Sequence, residues 1–396
     1  MTCDPHLLRL FVQGLERLVE RVGMNDEPYY PGLEGVIAGE TAISTIEGGL
    51  HYRGYAIEDL ARSATFPEVA YLILYGDLPN HEQLADFQSI LAETEELPEI
   101  LVNLLNEIPI HAGAMDVLRT GISALAHFDP QFEEEGRNAD IAKTVRLLAQ
   151  IPMLIATRYR QCQGEAVIPP SDELSYAGNL LHMITGREPT ALEEKALDVS
   201  LVLYAEHEFN ASTFAARVVT STGSDLFSAI TSAVGALKGS LHGGANERVM
   251  EVLDEVRADG NAEAWVNRAL AEKRRIMGFG HRIYKEGDPR AVILRDYCRQ
   301  LAEARGDLEL EEIADTIEQV VRREKGLPPN LDWPSARLYH YLGLDVELYT
   351  PLFVVSRVVG WAAHIIEQTE NNRLIRPRSR YTGLAPRRFV PLGQRG

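Results

Sequence analysis

GFGHRIYKEGDPR, residues 278–290, decides the fold class because it admits two incompatible readings. A Gly-Phe-Gly at 278–280 could open a dinucleotide-binding loop, which would demand a doubly wound parallel sheet. The context rejects that loop. KRRIM at 273–277 continues a helical pattern, no strand leads into the glycines, and the third glycine of the fingerprint is missing. The stretch also sets His281, Arg282, Lys285 and Arg290 against only Glu286 and Asp288, in a chain of formal net charge −19. Binding of a phosphate or carboxylate therefore remains open. Asp288-Pro289 restarts a helix and puts Arg290 in its first turn.

Outward from this stretch, apolar residues recur at three- and four-residue spacing over 80–96, 113–128, 139–160, 191–207, 225–238, 262–275, 289–304 and 309–325. Gly326 and Pro328 stop the last of these. A strand signal is confined to TAISTIEGGLHYRGY, residues 41–55, where a Gly48-Gly49 turn predicts one short hairpin. Strands and helices do not alternate. The expected fold is mainly α, with a short N-terminal β-hairpin.

The 396 residues suffice for two domains or for one domain with an insert. No uninterrupted apolar run reaches the roughly 18–20 residues that span a bilayer. The N-terminal stretch DPHLLRLFVQGLERLVERVG reads as a helix opened by Asp4 and Pro5, not as a signal peptide. Cys3, Cys162 and Cys298 are far apart and form no CxxC pair. That predicts a reducing, cytoplasmic setting without disulfides or a cysteine-bound metal. The acidic balance argues against nucleic-acid partners. Only six of the 39 basic residues are lysine, a skew that genome base composition explains. From Asn371 onward there are seven arginines and no Asp or Glu, either a solvated tail or an anion-binding surface.

Three further segments hold catalytically capable residues. AEHEFNAST, 205–213, offers His207 at a helix end. LKGSLHGGANERV, 237–249, sets His242 between two helices, before two glycines that allow close approach of a substrate. Free N–H groups at the next helix start suit an anion or oxyanion there. PPNLDWPSARL, 328–338, puts Asp332 beside Trp333, either as a helix cap or as a carboxylate whose pKa an apolar ring raises. His207, His242, His281 and an acid form no HExxH or other close ligand pair, which weighs against zinc. A serine hydrolase would need a GxSxG elbow and strands to mount it.

HEFNAST, LHGGANE, GFGHRIYKEGDPR and PNLD, in this order, resemble the citrate synthase family, and the likeness extends from PGLEGVIAGE to RLIRPRSRYTG. The resemblance implies an almost wholly helical homodimer with no metal or redox cofactor. It implies a large domain of residues 1–237 and 341–396, a small domain of 238–340, and an active site in the cleft between them. The reaction would condense acetyl-CoA with oxaloacetate and hydrolyse the thioester, a step of the tricarboxylic acid cycle.

By the same resemblance Asp332 is the base. His242 donates to the thioester oxygen as a neutral imidazole, and His281 polarises the ketone. Arg290, Arg357, Arg376 and His207 would hold oxaloacetate, with Arg376 reaching into the partner's site. Lys285, Lys325 and Arg378 are the matching positions for CoA phosphates. Trp333-Pro334 and SARLYHYLG depart from the expected pattern, which would bear on acyl-chain choice. Two alternatives stand beside this one. The first is a 2-methylcitrate synthase that uses propionyl-CoA with the same residues. The second is a catalytically weak paralogue that binds CoA in a structural role.

Overall fold

The computed structural model describes residues 29–94, 96–281 and 283–395. The helix expected after Asp4 and Pro5 lies outside them. Two compact units are distinguished, Met1–Glu40 and Thr41–Gly396. The described part of the first is an exposed segment with one 3-10 turn, Pro31–Leu33.

The second unit contains sixteen α-helices among its described residues. They are α1 (Ile57–Ser63), α2 (Phe66–Tyr75), α3 (His81–Glu93), α4 (Glu99–Glu107), α5 (Ala114–Leu125), α6 (Arg137–Gln163), α7 (Tyr176–Thr185) and α8 (Ala191–Tyr204). There follow α9 (Ala211–Thr220), α10 (Leu226–Leu237), α11 (Ala245–Asp259), α12 (Ala262–Ala271), α13 (Pro289–Arg305), α14 (Glu309–Lys325), α15 (Asp332–Tyr341) and α16 (Tyr349–Glu370). The mainly α expectation holds.

The helix periodicity located each expected segment to within a few residues, but several overran: the helix in 262–275 ends at Ala271, and KRRIM at 273–277 is not helical, with Lys273 at a left-handed φ of 57°. The pattern over 191–207 stops as a helix at Tyr204. Beyond it the Tyr52 hydroxyl donates to the Glu206 carbonyl at 2.9 Å and accepts the Glu206 N–H at 3.2 Å. These bonds give the backbone partners outside the helical ladder. His207 therefore sits in a turn, not on a helix.

The expected hairpin is the first of two. β1 (Ser44–Thr45), β2 (His51–Tyr52) and β3 (Tyr55–Ala56) form an antiparallel sheet in that order. The second turn is Arg53-Gly54, with φ of 49° and 89°. Both central residues have positive φ, as a tight hairpin requires, but an arginine hides the signal. Its guanidinium holds the position by donating to the Ile73 carbonyl at 2.8 and 3.1 Å and to the Ala42 carbonyl at 3.1 Å.

α16 is the central element, packed against α2, α6, α8, α9 and α10. Almost all of its residues are buried, including Arg357 and His364. The segment Val346–Glu370 is apolar and long enough to cross a membrane by composition, contrary to the sequence expectation, but its apolar window is wholly buried within the protein. A helix enclosed on all sides needs apolar residues all round. α6 carries Pro152, which leaves the Leu148 carbonyl without its helical donor. The Tyr176 hydroxyl fills that gap at 2.7 Å.

Candidate active site

The turn after α8 is stitched to the small sheet. Glu208 has a left-handed φ of 48°, costly for a residue with a Cβ. Ser44 on β1 secures it: its hydroxyl donates to Glu206 Oε1 at 3.0 Å and accepts the Glu208 N–H at 3.1 Å. The Ile46 N–H adds a bond to Glu208 Oε1 at 3.0 Å. Glu206 is fully buried, and His364 Nε2 meets it at 2.9 Å. Burial opposes its charge, but His364 and then Arg357 keep its pKa low. Between these anchored residues lies His207, whose Nε2 is 3.0 Å from the Tyr284 hydroxyl and whose ring meets His281 edge-on at 5.4 Å. Burial, with Arg290 and Arg357 nearby, holds His207 well below the usual histidine pKa, so it is uncharged.

The His242 loop closes tightly on the end of α10. The Gly243 N–H donates to the Leu237 carbonyl at 2.9 Å, and a Cβ at Gly243 would overlap that same carbonyl. His242 Nε2 faces the backbone N–H of Ser212 at 3.2 Å and the Ser212 hydroxyl at 2.8 Å. A backbone N–H can only donate, so Nε2 is the acceptor and Nδ1 carries the proton. Ser212 lies in the first turn of α9, where N–H groups lack helical partners. The expected neutral imidazole is thus enforced by α9, not by the helix that follows the loop. Burial, reinforced by Arg357, brings the His242 pKa down to about 4.

The GFGH and PPNLD stretches are zipped together. Gly280 N–H donates to the Pro328 carbonyl at 2.8 Å and Asn330 N–H to the Gly278 carbonyl at 2.9 Å. The Asn330 side chain closes on the Gly280 carbonyl at 2.9 Å. Gly278, at φ 85°, is required: a Cβ there would lie 2.8 Å from Trp333 and 2.9 Å from Val249. His281 Nδ1 receives the N–H groups of Ile283 and Tyr284 at 3.2 and 3.3 Å. Its remaining proton therefore sits on Nε2. Burial and then Arg290 lower the His281 pKa, with Asp288 opposing. Asp288 caps α13 and clasps Arg290 through two bonds, 2.9 and 2.8 Å. Burial alone would lower the Arg290 pKa, but this carboxylate raises it.

Asp332 opens α15 without capping it. The Asn330 side chain accepts the Asp332 N–H at 3.1 Å, while the Asp332 carboxylate accepts from the Tyr204 hydroxyl at 3.0 Å. Burial raises its pKa to about 6, against the pull of Tyr204, Arg290 and Arg357. The aromatic neighbour is not the one expected. Trp333 is fully buried against Phe279 and donates to Glu318 at 2.7 Å, so this departure from the family pattern belongs to the core. Tyr339, in the second departure, is likewise buried, with its hydroxyl 2.9 Å from Ser200. Tyr204 stacks obliquely on Phe353 at 4.5 Å, and Phe353 also meets the His242 ring at 6.4 Å. Arg357 lies over Phe353 and gives its Nε–H to the Tyr204 carbonyl at 2.6 Å, leaving its two terminal nitrogens for a ligand.

His207, His242, His281, Asp332, Arg290 and Arg357 thus belong to one continuous set of contacts. Of the other expected residues, only Lys285 touches it. Lys285 is exposed and its Nζ donates to the His281 carbonyl at 3.3 Å. Lys325 is exposed in the last turn of α14, and Arg378 is exposed in the C-terminal segment. Arg376 is exposed too; it follows Ile375, whose N–H bonds Ser221 at the C-terminal end of α9. His242 sits at the opposite end of that ten-residue helix, about 15 Å away. Sequence reasoning missed Ser44, Tyr204, Ser212 and Tyr284. Ser212 and Tyr284 fall inside the quoted histidine motifs, where proximity to the histidines was a signal; Ser44 falls in the quoted hairpin stretch, which was read for its turn alone, and Tyr204 in none.

The model described as "Citrate synthase, C-terminal domain" matches residues 32–378. A 2-methylcitrate synthase of Shewanella oneidensis is 45% identical over 370 residues, covering 92% of this chain and 97% of that protein. Citrate synthase 2 of Bacillus subtilis is 43% identical over 366 residues, covering 92% and 98%. A solved citrate synthase from Thermoplasma acidophilum, in ternary complex with carboxymethyl coenzyme A and oxaloacetate, superposes with a TM-score of 0.87 at 35% identity, covering 93% of this chain and 100% of that one. The family model spans most of the chain, and these relatives match it nearly end to end; the chain belongs to the citrate synthase family.

Proposed function

We propose that the chain is a citrate synthase that condenses acetyl-CoA with oxaloacetate and hydrolyses the resulting thioester to citrate and CoA. The observation that carries this is a buried carboxylate near neutrality, Asp332, accompanied by two imidazoles each fixed in one donor tautomer. A methyl beside a thioester is a weak carbon acid, so its base must act together with a donor to the carbonyl oxygen. Asp332 takes the methyl proton while His242 Nδ1–H donates to the thioester oxygen. The enol carbon attacks the ketone carbon of oxaloacetate, and His281 Nε2–H stabilises the alkoxide that forms. Water then cleaves the thioester and CoA leaves.

Arg290 and Arg357 bind the substrate carboxylates as forked donors. The distance along α9 supports assigning Arg376 to the site of a partner subunit, in a homodimer that shares its sites. Lys285, Lys325 and Arg378 are assigned to CoA phosphates. Residues 238–340 form the small domain of this reading, and its closure on the rest excludes water.

Propionyl-CoA, and hence 2-methylcitrate synthesis, is the second reading, favoured by the 45% identity to a protein of that name. Tyr204 and Phe353, the aromatic groups near the base, are the side chains that would tell the two acyl groups apart. Comparison of kcat/KM for the two acyl-CoAs at saturating oxaloacetate decides the matter. We expect acetyl-CoA to have the higher value; a clear propionyl-CoA preference would establish the second reading instead.

A further inference from the structure

A cavity of about 60 Å³ opens between α4, α5, α6 and the turn Val346–Leu348. None of the six residues gathered in the candidate active site lines it. Its wall is mostly apolar, with Leu105 from α4, Val117 and Leu118 from α5, and Leu154 and Ile155 from α6. Arg158 lines it as well and is only 8% exposed. Arg158 Nη1 donates to the carbonyls of Leu105 and Ile108 at 2.7 and 3.0 Å, and Nη2 donates to that of Pro109 at 2.7 Å. The guanidinium thereby caps the C-terminal end of α4, where a cation is favoured. These bonds all go to carbonyls and none to a carboxylate. The Nε–H is buried without an acceptor. The neighbouring polar groups are already committed. The Tyr159 hydroxyl donates to Asp345 at 2.8 Å, and burial pushes the Cys162 thiol up, so it keeps its proton.

We propose that this cavity binds a short-chain aliphatic monocarboxylate, its chain against the apolar wall and its carboxylate accepting from Arg158. The volume sets the length. At roughly 10–15 Å³ for each water-sized sphere, the cavity admits about four to six heavy atoms, the size of propionate or butyrate. The charge sets the head group. A buried guanidinium bonded only to neutral carbonyls keeps its net charge, so an anion gains a charge-assisted bond that an uncharged ligand of the same shape does not. A second carboxylate is disfavoured, because it would be stripped of water against the apolar wall. Glu347, an exposed acid that also lines the cavity, repels it further. The site therefore selects against dicarboxylates, which the proposed catalytic cleft takes.

Butyrate is titrated into the wild type, Ala114→Leu and Arg158→Met, each saturated with oxaloacetate to cover the arginines of the proposed catalytic cleft. Kd is read from saturation transfer to the ligand protons in NMR. Butyramide, the uncharged counterpart of the same shape, and succinate are titrated alongside. The wild type should bind butyrate saturably, and butyramide and succinate at least about tenfold more weakly, as for loss of a hydrogen bond between charged groups. Ala114 lines the cavity at the start of α5, so Ala114→Leu fills it and leaves the Arg158 cap intact. It should raise the butyrate Kd about tenfold or more. Arg158→Met should do the same, with thermal unfolding to check that losing the α4 cap leaves the protein folded. Absence of saturable binding by the wild type would overturn the proposal. So would butyramide binding as tightly as butyrate, or an unchanged butyrate Kd in Ala114→Leu or in folded Arg158→Met.

Discussion

Asp288 and Asp332 are both buried carboxylates, and their partners send them in opposite directions. Asp288 is clasped by Arg290, which keeps its pKa low despite burial. Asp332 has a single hydroxyl donor, and burial raises its pKa to about 6. One is thus a fixed anion and the other a base suited to neutral pH. The base works deprotonated, so kcat/KM for the acyl-CoA should hold above about pH 6 and fall as pH drops through that value. The Tyr204 hydroxyl favours the ionised carboxylate, so Tyr204→Phe should move this acid limb to higher pH. A limb unmoved in Tyr204→Phe would show that this bond does not tune the base. Five of the six residues that gather here were legible because they sit in short, specific motifs; Arg357, inside the apolar helix α16, came through the resemblance alone. Tyr204 was not legible: its contact with Asp332 spans 128 positions, and nothing in AEHEFNAST points to it.

Between residue and molecule stands the paired segment 278–281 with 328–332. It delivers His281 and Asp332 from opposite ends of the α13–α14 excursion. Gly278 is the pivot because both its φ and its packing exclude a side chain. Gly278→Ala should cost roughly 2–4 kcal/mol in urea unfolding, from left-handed backbone strain plus overpacking against Trp333. Stability unchanged within about 0.5 kcal/mol would show that the segment adapts freely. Helices were the legible elements, since a 3.6-residue period survives in sequence. The turn after α8 and strand β3 were hidden because side chains define them: Tyr52 and Ser44 for the turn, and the arginine anchor at Arg53 for the hairpin. The same holds for Trp333, which the sequence placed at the acyl group and the fold buries against Phe279 and Glu318.

On the scale of the whole molecule, a chain of net charge −19 concentrates arginines and imidazoles where two anionic substrates must meet. Its C-terminal segment is exposed and carries Leu374, Tyr381, Leu384, Phe389 and Leu392 as well as arginines. The proposed shared-site dimer would cover this surface with a second subunit. The proposed division at 238 and 340 comes from the resemblance alone; no change in composition marks it. One measurement joins the base to the shared site: oxaloacetate-dependent release of CoA from acetyl-CoA by Asp332→Asn, by Arg376→Ala, and by the two variants co-expressed. Each alone should be nearly inactive. Together, with random pairing, they should recover about a quarter of wild-type activity, because half the dimers are mixed and each mixed dimer has one intact site. Turnover by Asp332→Asn near the wild-type rate would contradict Asp332 as the base, and a co-expressed sample no better than its parts would contradict the shared site.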